Sequence, residues 1–537
     1  MSVFVRRLVL GAFAIAALPL PGFAQSAPRY DAGNPTLQQI WVDPVRGNDR
    51  SSGRTADDAV RTLIEAWNRV PPNTPTSALV ASGYEIRLQP GEYPADAIPH
   101  YMEARYGSAT APIVFRAVNG AGTATLRTGL NIAHVGYLYF VDLDIVPTPA
   151  ADVFHCEDCD HILLRNVTFT GGVRPVEGVA AAVAHETVKV NQSTHFYIED
   201  SRIGGAGDNA IDFVAVQQGH IVRSRVHGAN DWCGYVKGGS ASILVDSNEF
   251  HDCGTGGFTV GQGTGLQFMT SPWLHYEAYD IRVVNNIVHD TEGAGLGVNG
   301  GYNVLVAWNT LYRVGTRSHV MEAGFGARSC DAADVPAERT ACETRLSSGA
   351  WGTTVVDDGD NFVRIPNHHV FLMNNVVFNP AGAGSQWQHF QIAGEYSGGL
   401  SGTGAPNSNR GDNDLRIAGN LIWNGPLGHP LGVGDDSGCP ASHATCGEAF
   451  IAANNAVNTQ QPSFADLSAG NVRPTGALAG ARSVFVPDFL WSDLPSRPQA
   501  PAGATSNRIL LDRNGRARGA GDPPGAALPH FTCTVAR

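Results

Sequence analysis

The sequence predicts an all-β protein, a single-stranded right-handed parallel β-helix, and two observations lead to that fold class. Short apolar runs recur along most of the chain, and a small polar residue stands at the same place in each; Ser201, Ser224 and Asn248 are 23 and 24 residues apart. A period of that length, built from β-branched runs and Gly/Asn/Asp turns, is typical of solenoid coils. The 63 glycines, 32 prolines and 16% charged residues also favour strands and turns.

The first 24 residues have the pattern of a secretory signal. Arg6 and Arg7 precede an apolar core, and small residues precede a cleavage point before Gln25. That core is too short to cross a bilayer, and no later segment is long enough either. We therefore expect a secreted or periplasmic protein without a membrane span, and we expect it to be a monomer.

The nine cysteines fit an oxidising compartment. Close spacing favours local disulfides, and two cysteines that precede neighbouring strands are placed to join consecutive coils. The pair at 156 and 159 could instead bind a metal, although no second pair follows at zinc spacing. Cys533 is left over. The expected pairs are Cys156–Cys159, Cys233–Cys253, Cys330–Cys342 and Cys439–Cys446.

Residues 25–111 form an N-terminal module of strands and one helix. Within it, residues 56–69 carry apolar side chains at helical spacing. A helix here would cover the open end of a solenoid, which otherwise exposes unpaired strand edges. The sequence therefore predicts an N-terminal capping helix.

The predicted β-helix covers residues 112–480, and insertions at 261–280 and 316–366 interrupt its period. Long excursions from a regular scaffold commonly form binding walls. Residues 481–537 are rich in Pro, Ala and Gly and predict a tail packed along the helix. Stacked polar side chains can hydrogen-bond one another inside the turns. The predicted ladder consists of Asn166, Ser201, Ser224, Asn248, Asn286, Asn309, Asn375, Asn420 and Asn455.

The chain contains two lysines, Lys189 and Lys237, against 34 arginines. Stacking the coils predicts that both flank Asp212 on one outward face, because the neighbours of all three are apolar. A lysine can lose its proton at accessible pH whereas an arginine cannot, so we expect one lysine to act as a base. Lys237 is the first choice, because Gly238 and Gly239 after it would leave room for a polymer. The alternatives are two ordinary surface lysines, or a surface salt-bridge ladder on Asp212.

Acidic residues near the lysines predict a cation site. Glu186, Asp208, Asp212 and Asp231 fall on one edge of the predicted stack. Oxygen ligands favour calcium, whereas participation of His185 would favour a transition metal. Asx residues before a strand also form turns without any ion, which is the alternative.

Several aromatic residues and histidines are candidates for contacts with sugar rings. Ordinary packing of an insertion onto the body is the alternative. A regular series, His227, His251 and His289, recurs three residues past the ladder position and indicates an exposed structural rung on another face. The candidate substrate contacts are His185, Trp232, Trp273, His275 and Tyr276.

The entry segment WVDPVRGNDRSSGRT…PGEY, the coils with the Asn ladder and the closing DRNGRARGAGDPPGA together resemble the right-handed parallel β-helix polysaccharide lyases and their relatives. The nearest functional pattern is that of the calcium-dependent pectate lyases of family nine. The resemblance implies calcium as the cofactor near Asp208, Asp212 and Asp231, with Lys237 in the position of the base.

These features predict an enzyme, a lyase that cleaves an acidic, uronate-containing polysaccharide by β-elimination. Its base would take the proton at C5 while a cation neutralises the adjacent carboxylate. The net charge of −13 argues against a nucleic acid as partner. One alternative is a glycoside hydrolase, which needs two carboxyls about 5–9.5 Å apart, here Glu186 and Asp208. The other is a carbohydrate-binding β-helix without catalysis.

Overall fold

The computed structural model of the chain describes residues 28–172, 183–355, 362–393, 402–406, 412–426, 428–432, 447–491 and 506–529. Its body is a right-handed parallel β-helix, as predicted. Short strands stack in parallel from coil to coil, in three stacks that we call sheets 1, 2 and 3. No helix in these ranges is long and apolar enough to cross a membrane. The predicted signal segment lies outside the described residues.

Sheets 1 and 2 share one bent strand, Leu130–Val141, whose first half pairs in sheet 2 and whose second half pairs in sheet 1. Sheet 1 also contains Leu37–Val42, Gly83–Leu88, Ile113–Ala117, Asp160–Arg165, Thr194–Glu199, Gln217–Val222, Ser240–Asp246, Ala278–Val284, Gly301–Ala307, Asn367–Met373 and Asp412–Ala418. Sheet 2 also contains Met102–Tyr106, Phe154–Glu157, Val188–Asn191, Ile211–Val214, Trp232–Lys237, Gly256–Val260, Ala294–Asn299, Met321–Gly324 and Phe390–Ile392. Sheet 3 contains Gly91–Tyr93, Ala124–Leu126, Asp144–Ile145, Thr168–Thr170, Arg202–Ala206, Arg225–Ala229, Glu249–His251, Ile287–Thr291, Thr310–Val314, Val376–Phe378, Leu421–Trp423 and Ala456–Val457.

The remaining elements lie outside these stacks. A small three-stranded sheet consists of Gly263–Gly265, Gly326–Ser329 and Val363–Ile365, and a hairpin consists of Phe464–Asp466 and Asn471–Pro474. The α-helices are Leu63–Asn68, Pro336–Ser347 and Glu448–Asn454. Short 3-10 turns occupy Ala56–Asp58, Pro75–Ser77, Ala95–Ala97, Leu266–Phe268, Leu467–Ala469 and Gly476–Gly480.

The predicted polar ladder is present from Ser201 onwards. The backbone N–H of each ladder asparagine donates to the Oδ1 of the next at 2.9 Å, from Asn248 to Asn455. The same bond links Ser201 to Ser224 and Ser224 to Asn248. Each ladder residue thereby satisfies a buried amide in the turn of the coil before it.

Asn166 is not a member of this ladder, and the prediction was wrong by one residue. Asn166 has φ 56°, the left-handed conformation also found at Asp200 and Arg223, each of which directly precedes a ladder residue. The ladder position is therefore Val167, whose N–H donates to Ser201 Oγ at 3.2 Å. The apolar residue two positions later is then Phe169, which is buried like its counterparts in later coils.

The helix predicted over 56–69 is shorter than expected. The structure has a 3-10 turn at Ala56–Asp58 and an α-helix at Leu63–Asn68, which begins where the Thr62 side chain accepts the Glu65 N–H. Leu63, Ala66 and Trp67 are buried in the central apolar cluster of the coils. Whether this short helix closes the end of the β-helix stays a prediction.

Three of the expected disulfides are formed, namely Cys156–Cys159, Cys233–Cys253 and Cys330–Cys342. The first of them consumes both thiols of the alternative metal site. The second joins consecutive coils, as expected. Cys439, Cys446 and Cys533 lie outside the described residues.

Both predicted insertions are shorter than expected. Met321–Gly324 pairs with coil strands on both sides in sheet 2, so the second excursion begins at residue 325. The first ends before Ala278–Val284, a strand of sheet 1. A buried ion pair between Glu277 and Arg328 fastens the two excursions to each other. Part of the second, including the acidic run 357–360, lies outside the described residues.

The first part of the C-terminal segment, residues 484–491, lies on the outer face of sheet 1. The Tyr302 hydroxyl donates to the Leu490 carbonyl at 3.1 Å, and the ring of Phe489 lies 5.3 Å from that of Phe371. The outer face of sheet 1 is thereby covered in this half of the molecule, whereas the outer face of sheet 2 carries polar side chains.

Candidate functional site

A polar row crosses sheet 2 on its outer face. Its members lie directly opposite one another in consecutive coils, while the residues on either side of Lys189, Val188 and Val190, point into the core. Solenoid faces commonly bind extended partners, but the middle of this row, Asp212, Tyr235 and Thr259, is buried. From the N-terminal side the row consists of His155, Lys189, Asp212, Tyr235, Thr259, Gly297, Glu322 and Gln391.

Lys237 is not opposite Asp212, and that prediction was wrong. Tyr235 faces Asp212, and Lys237 faces Val214, two residues further along the strand. The sequence separations explain the offset: 23 residues separate Lys189 from Asp212, but 25 separate Asp212 from Lys237. An even offset keeps Lys237 on the outward face but moves it to a neighbouring row.

Lys189 is held between two carboxylates. Its Nζ lies 2.7 Å from Glu186 Oε1 and 3.6 Å from Asp212 Oδ2. Burial lowers the pKa of Lys189, but the attraction of Asp212 and Glu186 outweighs it and the net pKa is raised. Lys189 is therefore a fixed cation and is unsuited to act as a base.

Lys237 has a different environment. Its Nζ donates to Gln262 Oε1 at 3.0 Å and lies 4.3 Å from the centroid of the Tyr235 ring. Of the carboxylates in the part of the chain that the structure describes, none forms an ion pair with it. The side chain is half-buried and reaches the same outward face as Lys189.

The two glycines after Lys237 do not make room for a polymer, contrary to the prediction. Gly238 and Gly239 have φ 66° and 83°, which suits a tight turn. A Cβ on Gly239 would lie 2.2 Å from the Trp273 carbonyl oxygen. The glycines instead let the first excursion pack closely against this turn, where the Gly238 N–H donates to Glu277 Oε2 at 3.2 Å.

Asp212 is buried, with 3% of its surface exposed, and its Oδ1 accepts no hydrogen bond. Burial raises the pKa of Asp212, and the nearby lysines only partly offset this effect. Burial also raises the pKa of Tyr235, with Asp212 adding to the shift. The phenol therefore stays protonated.

Only some of the residues predicted to bind a metal lie close to one another. His185, Glu186 and Asp208 each offer a ligand atom, and these atoms lie within 4.8 Å of one another. Asp212 and Asp231 are not in this compact group. Burial raises the pKa of Asp208, and the carboxylates of Asp231 and Glu186 raise it further.

The charges at this edge fit a cation. Asp208 and Asp231 form no ion pair with any residue that the structure describes, and mutual repulsion of carboxylates is relieved by a positive ion. Glu186 already contacts His185 Nδ1 and Lys189 Nζ, both at 2.7 Å. Asp208 and Asp231, on consecutive coils, therefore suit calcium better than the full predicted set.

Most of the predicted sugar contacts are buried. Trp232, His275 and Tyr276 expose only 3%, 6% and 3% of their surface, and His275 Nε2 donates to the Gly349 carbonyl at 3.0 Å. Trp273 is half-buried against Tyr279. Three of the four aromatic candidates are thus packing residues: the second excursion covers His275 and Tyr276, and Trp232 packs against strands of the neighbouring coils. His185 remains exposed beside Glu186.

Several residues of the polar face were not predicted from the sequence. Asn299 Nδ2 donates to Glu322 Oε1 at 3.1 Å and to Thr259 Oγ1 at 3.0 Å. Burial raises the pKa of Glu322, and Asp231 contributes to the shift. A coil-by-coil alignment of the outward positions would have found Tyr235, Thr259 and Glu322, because all three share the register of Lys189.

The histidine series lies on sheet 3, away from this face. The rings of His227 and His251 stack at 5.1 Å, and those of His251 and His289 at 4.9 Å. Burial lowers the pKa of His227 to about 4. The series is a structural rung on another face, as the sequence indicated, but the expectation that it is exposed was wrong, because His251 and His289 are buried.

Comparison with known proteins supports the fold. Residues 152–326 match the family described as the right-handed β-helix region. No curated protein matches the chain in sequence.

Several solved structures are similar at low identity. The crystal structure of pectate lyase Pel9A is 14% identical, with a TM-score of 0.39, and the match covers 93% of this chain and 98% of that one. The A-module of Azotobacter vinelandii mannuronan C-5 epimerase AlgE6 is 13% identical, with a TM-score of 0.37 and coverage of 70% and 92%. A rhamnogalacturonan lyase is 11% identical, with a TM-score of 0.35 and coverage of 66% and 84%. At such values these likenesses bear on neither substrate nor residue roles.

Proposed function

We propose that the protein is an exported enzyme that cleaves an acidic, uronate-containing polysaccharide by β-elimination. The polymer would lie across the outer face of sheet 2, and Lys237 would be the base. The contrast between the two lysines carries the proposal. Lys189 is fixed as a cation by ion pairs with Glu186 and Asp212. Lys237 contacts an amide oxygen and a ring and forms no ion pair with a described carboxylate, although the charge of Asp212 still attracts it.

The reaction needs a proton acceptor beside a neutralised carboxylate. The neutral amine of Lys237 takes the proton from C5, the electron pair of that bond forms the double bond between C4 and C5, and the bond from C4 to the glycosidic oxygen breaks. The departing oxygen takes a proton from water. Lys189, as a fixed cation two coils away, attracts a uronate carboxylate of the same polymer.

A divalent cation held by Asp208 and Asp231 would neutralise the substrate carboxylate and make the C5 proton more acidic. Beyond the effect of burial, the carboxylates of Asp231 and Glu186 raise the pKa of Asp208, and a cation would relieve that repulsion.

A panel of acidic polysaccharides tests the proposal. Galacturonate, alginate, glycosaminoglycan and bacterial exopolysaccharide substrates are each incubated with the protein, and the ultraviolet absorbance of an unsaturated uronate product is followed. A rise with one polymer, lost in Lys237→Ala, supports the lyase. Absence of such a product together with tight binding would point to a carbohydrate-binding protein without catalysis.

A glycoside hydrolase is the second candidate, and one pair of carboxyls favours it. Glu186 and Asp208 lie within the same 4.8 Å group, close to the separation of about 5–5.5 Å found in retaining enzymes. The pKa of Glu186 is lowered, since Lys189 and His185 outweigh its burial, whereas that of Asp208 is raised. Opposite shifts of this kind suit a nucleophile and an acid. New reducing ends without ultraviolet absorbance, lost in Asp208→Asn, would select this candidate.

A further inference from the structure

A second group of ligand-type side chains lies on sheet 1, away from the polar row. His161 and His195 occupy the same position in consecutive coils, both with left-handed backbone at φ 55° and 53°. Their rings stack with centroids 4.0 Å apart and planes 13° apart. The repeat of the coil therefore brings two imidazoles into register.

Asp160 places a carboxylate between the two imidazoles. Its Oδ2 lies 2.9 Å from His161 Nδ1, and its Oδ1 lies 3.1 Å from His195 Nδ1. One ligand atom from each of the three residues lies within 4.8 Å of the others. Two ligands of a tetrahedral zinc ion at about 2.0–2.2 Å are themselves about 3.3–3.6 Å apart, so a few tenths of an ångström of side-chain movement would let these atoms share an ion.

The His161 ring has an orientation that suits coordination. Its Nδ1 is buried and makes no hydrogen bond, although Asp160 Oδ2 is close by, so these two atoms do not point at each other. Two ligand atoms of one ion are likewise close together without pointing at each other, because their lone pairs point at the ion between them. The other ring nitrogen, Nε2, lies 3.4 Å from the Tyr137 hydroxyl, an outer contact that fixes the ring.

Neighbouring groups hold the cluster in place. The Tyr137 ring stacks on His161 at 4.1 Å, and Thr194 Oγ1 donates to Asp160 Oδ1 at 2.6 Å. All three ligand-type side chains are partly exposed, so an ion could enter from solvent. Two imidazoles and one carboxylate favour zinc or another first-row transition metal over calcium.

We propose that Asp160, His161 and His195 form a structural site for a zinc-class transition metal that ties two consecutive coils of sheet 1 together. The site is independent of the proposed lyase activity. The metal would bind the folded chain but not the unfolded chain, because the three ligands come from two coils. Binding would therefore raise the stability of the fold.

Calorimetric titration of the chelator-treated protein with zinc tests the site. Calcium is kept in excess, and the titration is run in a His185→Gln background, so that the group beside the polar row does not contribute. We expect one tight zinc site that is lost in His161→Phe/His195→Phe, because phenylalanine keeps the ring stacking but removes the nitrogens. The control, His227→Phe, removes one imidazole from the stack on sheet 3 and should keep the site.

Cobalt provides a second readout, since its visible absorption reports nitrogen and oxygen ligands directly. Asp160→Asn keeps both imidazoles and should weaken binding by about 10-fold or more. If circular dichroism without metal shows that the double variant does not fold, Asp160→Asn serves as the test of the site instead. Equal zinc binding in the double variant and its parent, or no zinc binding in the parent, would overturn the proposal.

Discussion

At the scale of single residues, the two lysines differ because of their partners. Lys189 lies between Glu186 and Asp212, whereas Lys237 contacts Gln262 and the ring of Tyr235. The sequence placed both on one face, but two residues of offset along the strand give them different neighbours. In the proposed mechanism Lys189 is therefore the cation and Lys237 the base on the same surface.

Replacing Lys237 by arginine should abolish activity about as severely as replacing it by alanine. Arginine keeps the positive charge but does not accept a proton, and loss of a general base typically costs ~10²–10⁴ in rate. Initial rates on the polymer that the enzyme degrades are the measurement. Lys189→Arg is the matched control and should retain most activity, since Lys189 acts as a cation. Normal rates in Lys237→Arg would refute the base.

Activity should rise towards alkaline pH, because a lysine accepts a proton only in its neutral form. The pH profile of kcat/KM on the same polymer measures this. If the hydrolase is correct instead, activity should fall as pH rises through the raised pKa of Asp208, since that carboxyl must be protonated. The two profiles slope in opposite directions.

Asp208→Asn should raise thermal stability at neutral pH in the presence of chelator. The folded-state pKa of Asp208 is raised, so its carboxyl lowers stability as pH rises from about 3.9, the ordinary value, through the folded value. The advantage of the variant should disappear below that range. Differential scanning calorimetry is the measurement, with the exposed Asp96→Asn as control.

Calcium should make the parent more stable than Asp208→Asn if Asp208 and Asp231 bind it. Added calcium should then raise the unfolding temperature of the parent but leave that of Asp208→Asn unchanged. A parent that ignores both chelator and calcium would remove the cation from the proposed mechanism.

At the scale of elements, the coils depend on buried polar contacts between neighbours. Asn309 is fully buried; its side chain donates to the Val283 carbonyl and to Asn375, and accepts from Asn286. Losing these bonds leaves backbone groups unsatisfied. Asn309→Ala should therefore lower the free energy of unfolding by about 2–4 kcal/mol, measured by urea denaturation. Asn166→Gly is the matched control and should have little effect, because Asn166 is exposed and already has φ 56°.

The two excursions depend on the ion pair between Glu277 and Arg328, whose side chains are completely buried. Glu277→Gln should destabilise the protein by about 3–5 kcal/mol, because it leaves the guanidinium buried without its counter-ion. Urea denaturation measures the loss. Glu277→Gln/Arg328→Met should recover much of it, since both charges are then removed. An unchanged midpoint in the single variant would contradict the assigned role of the pair.

At the scale of the whole molecule, the terminal segments and excursions decide which faces are open. The C-terminal segment covers Phe371 and Tyr302 on sheet 1. Truncation after residue 480 should lower the unfolding temperature and expose this apolar face, measured by calorimetry and by binding of an apolar dye. The polar row on sheet 2 should be unaffected, so activity at low temperature should persist in the truncated protein.

The coil architecture was predictable because it follows from local periodicities. Side chains alternate along a strand, and each turn of the helix uses a similar number of residues, so apolar runs and the positions of Ser224 and Asn248 reveal the repeat. Asn166 was assigned to the wrong position because asparagine is suited both to the ladder position and to the left-handed position directly before it. One-residue errors of this kind need the hydrogen bonds to correct them.

The sequence by itself determined the β-helix, its polar ladder, three disulfides and the outward face on which both lysines lie. The tertiary structure decided the rest of the candidate site. It set Tyr235 rather than Lys237 opposite Asp212, buried Trp232 and Tyr276, and placed Glu322 on the polar face. The reason is physical: alternation fixes the side of a strand on which a residue lies, but exposure and charge partners depend on segments far away in the chain that fold over that surface.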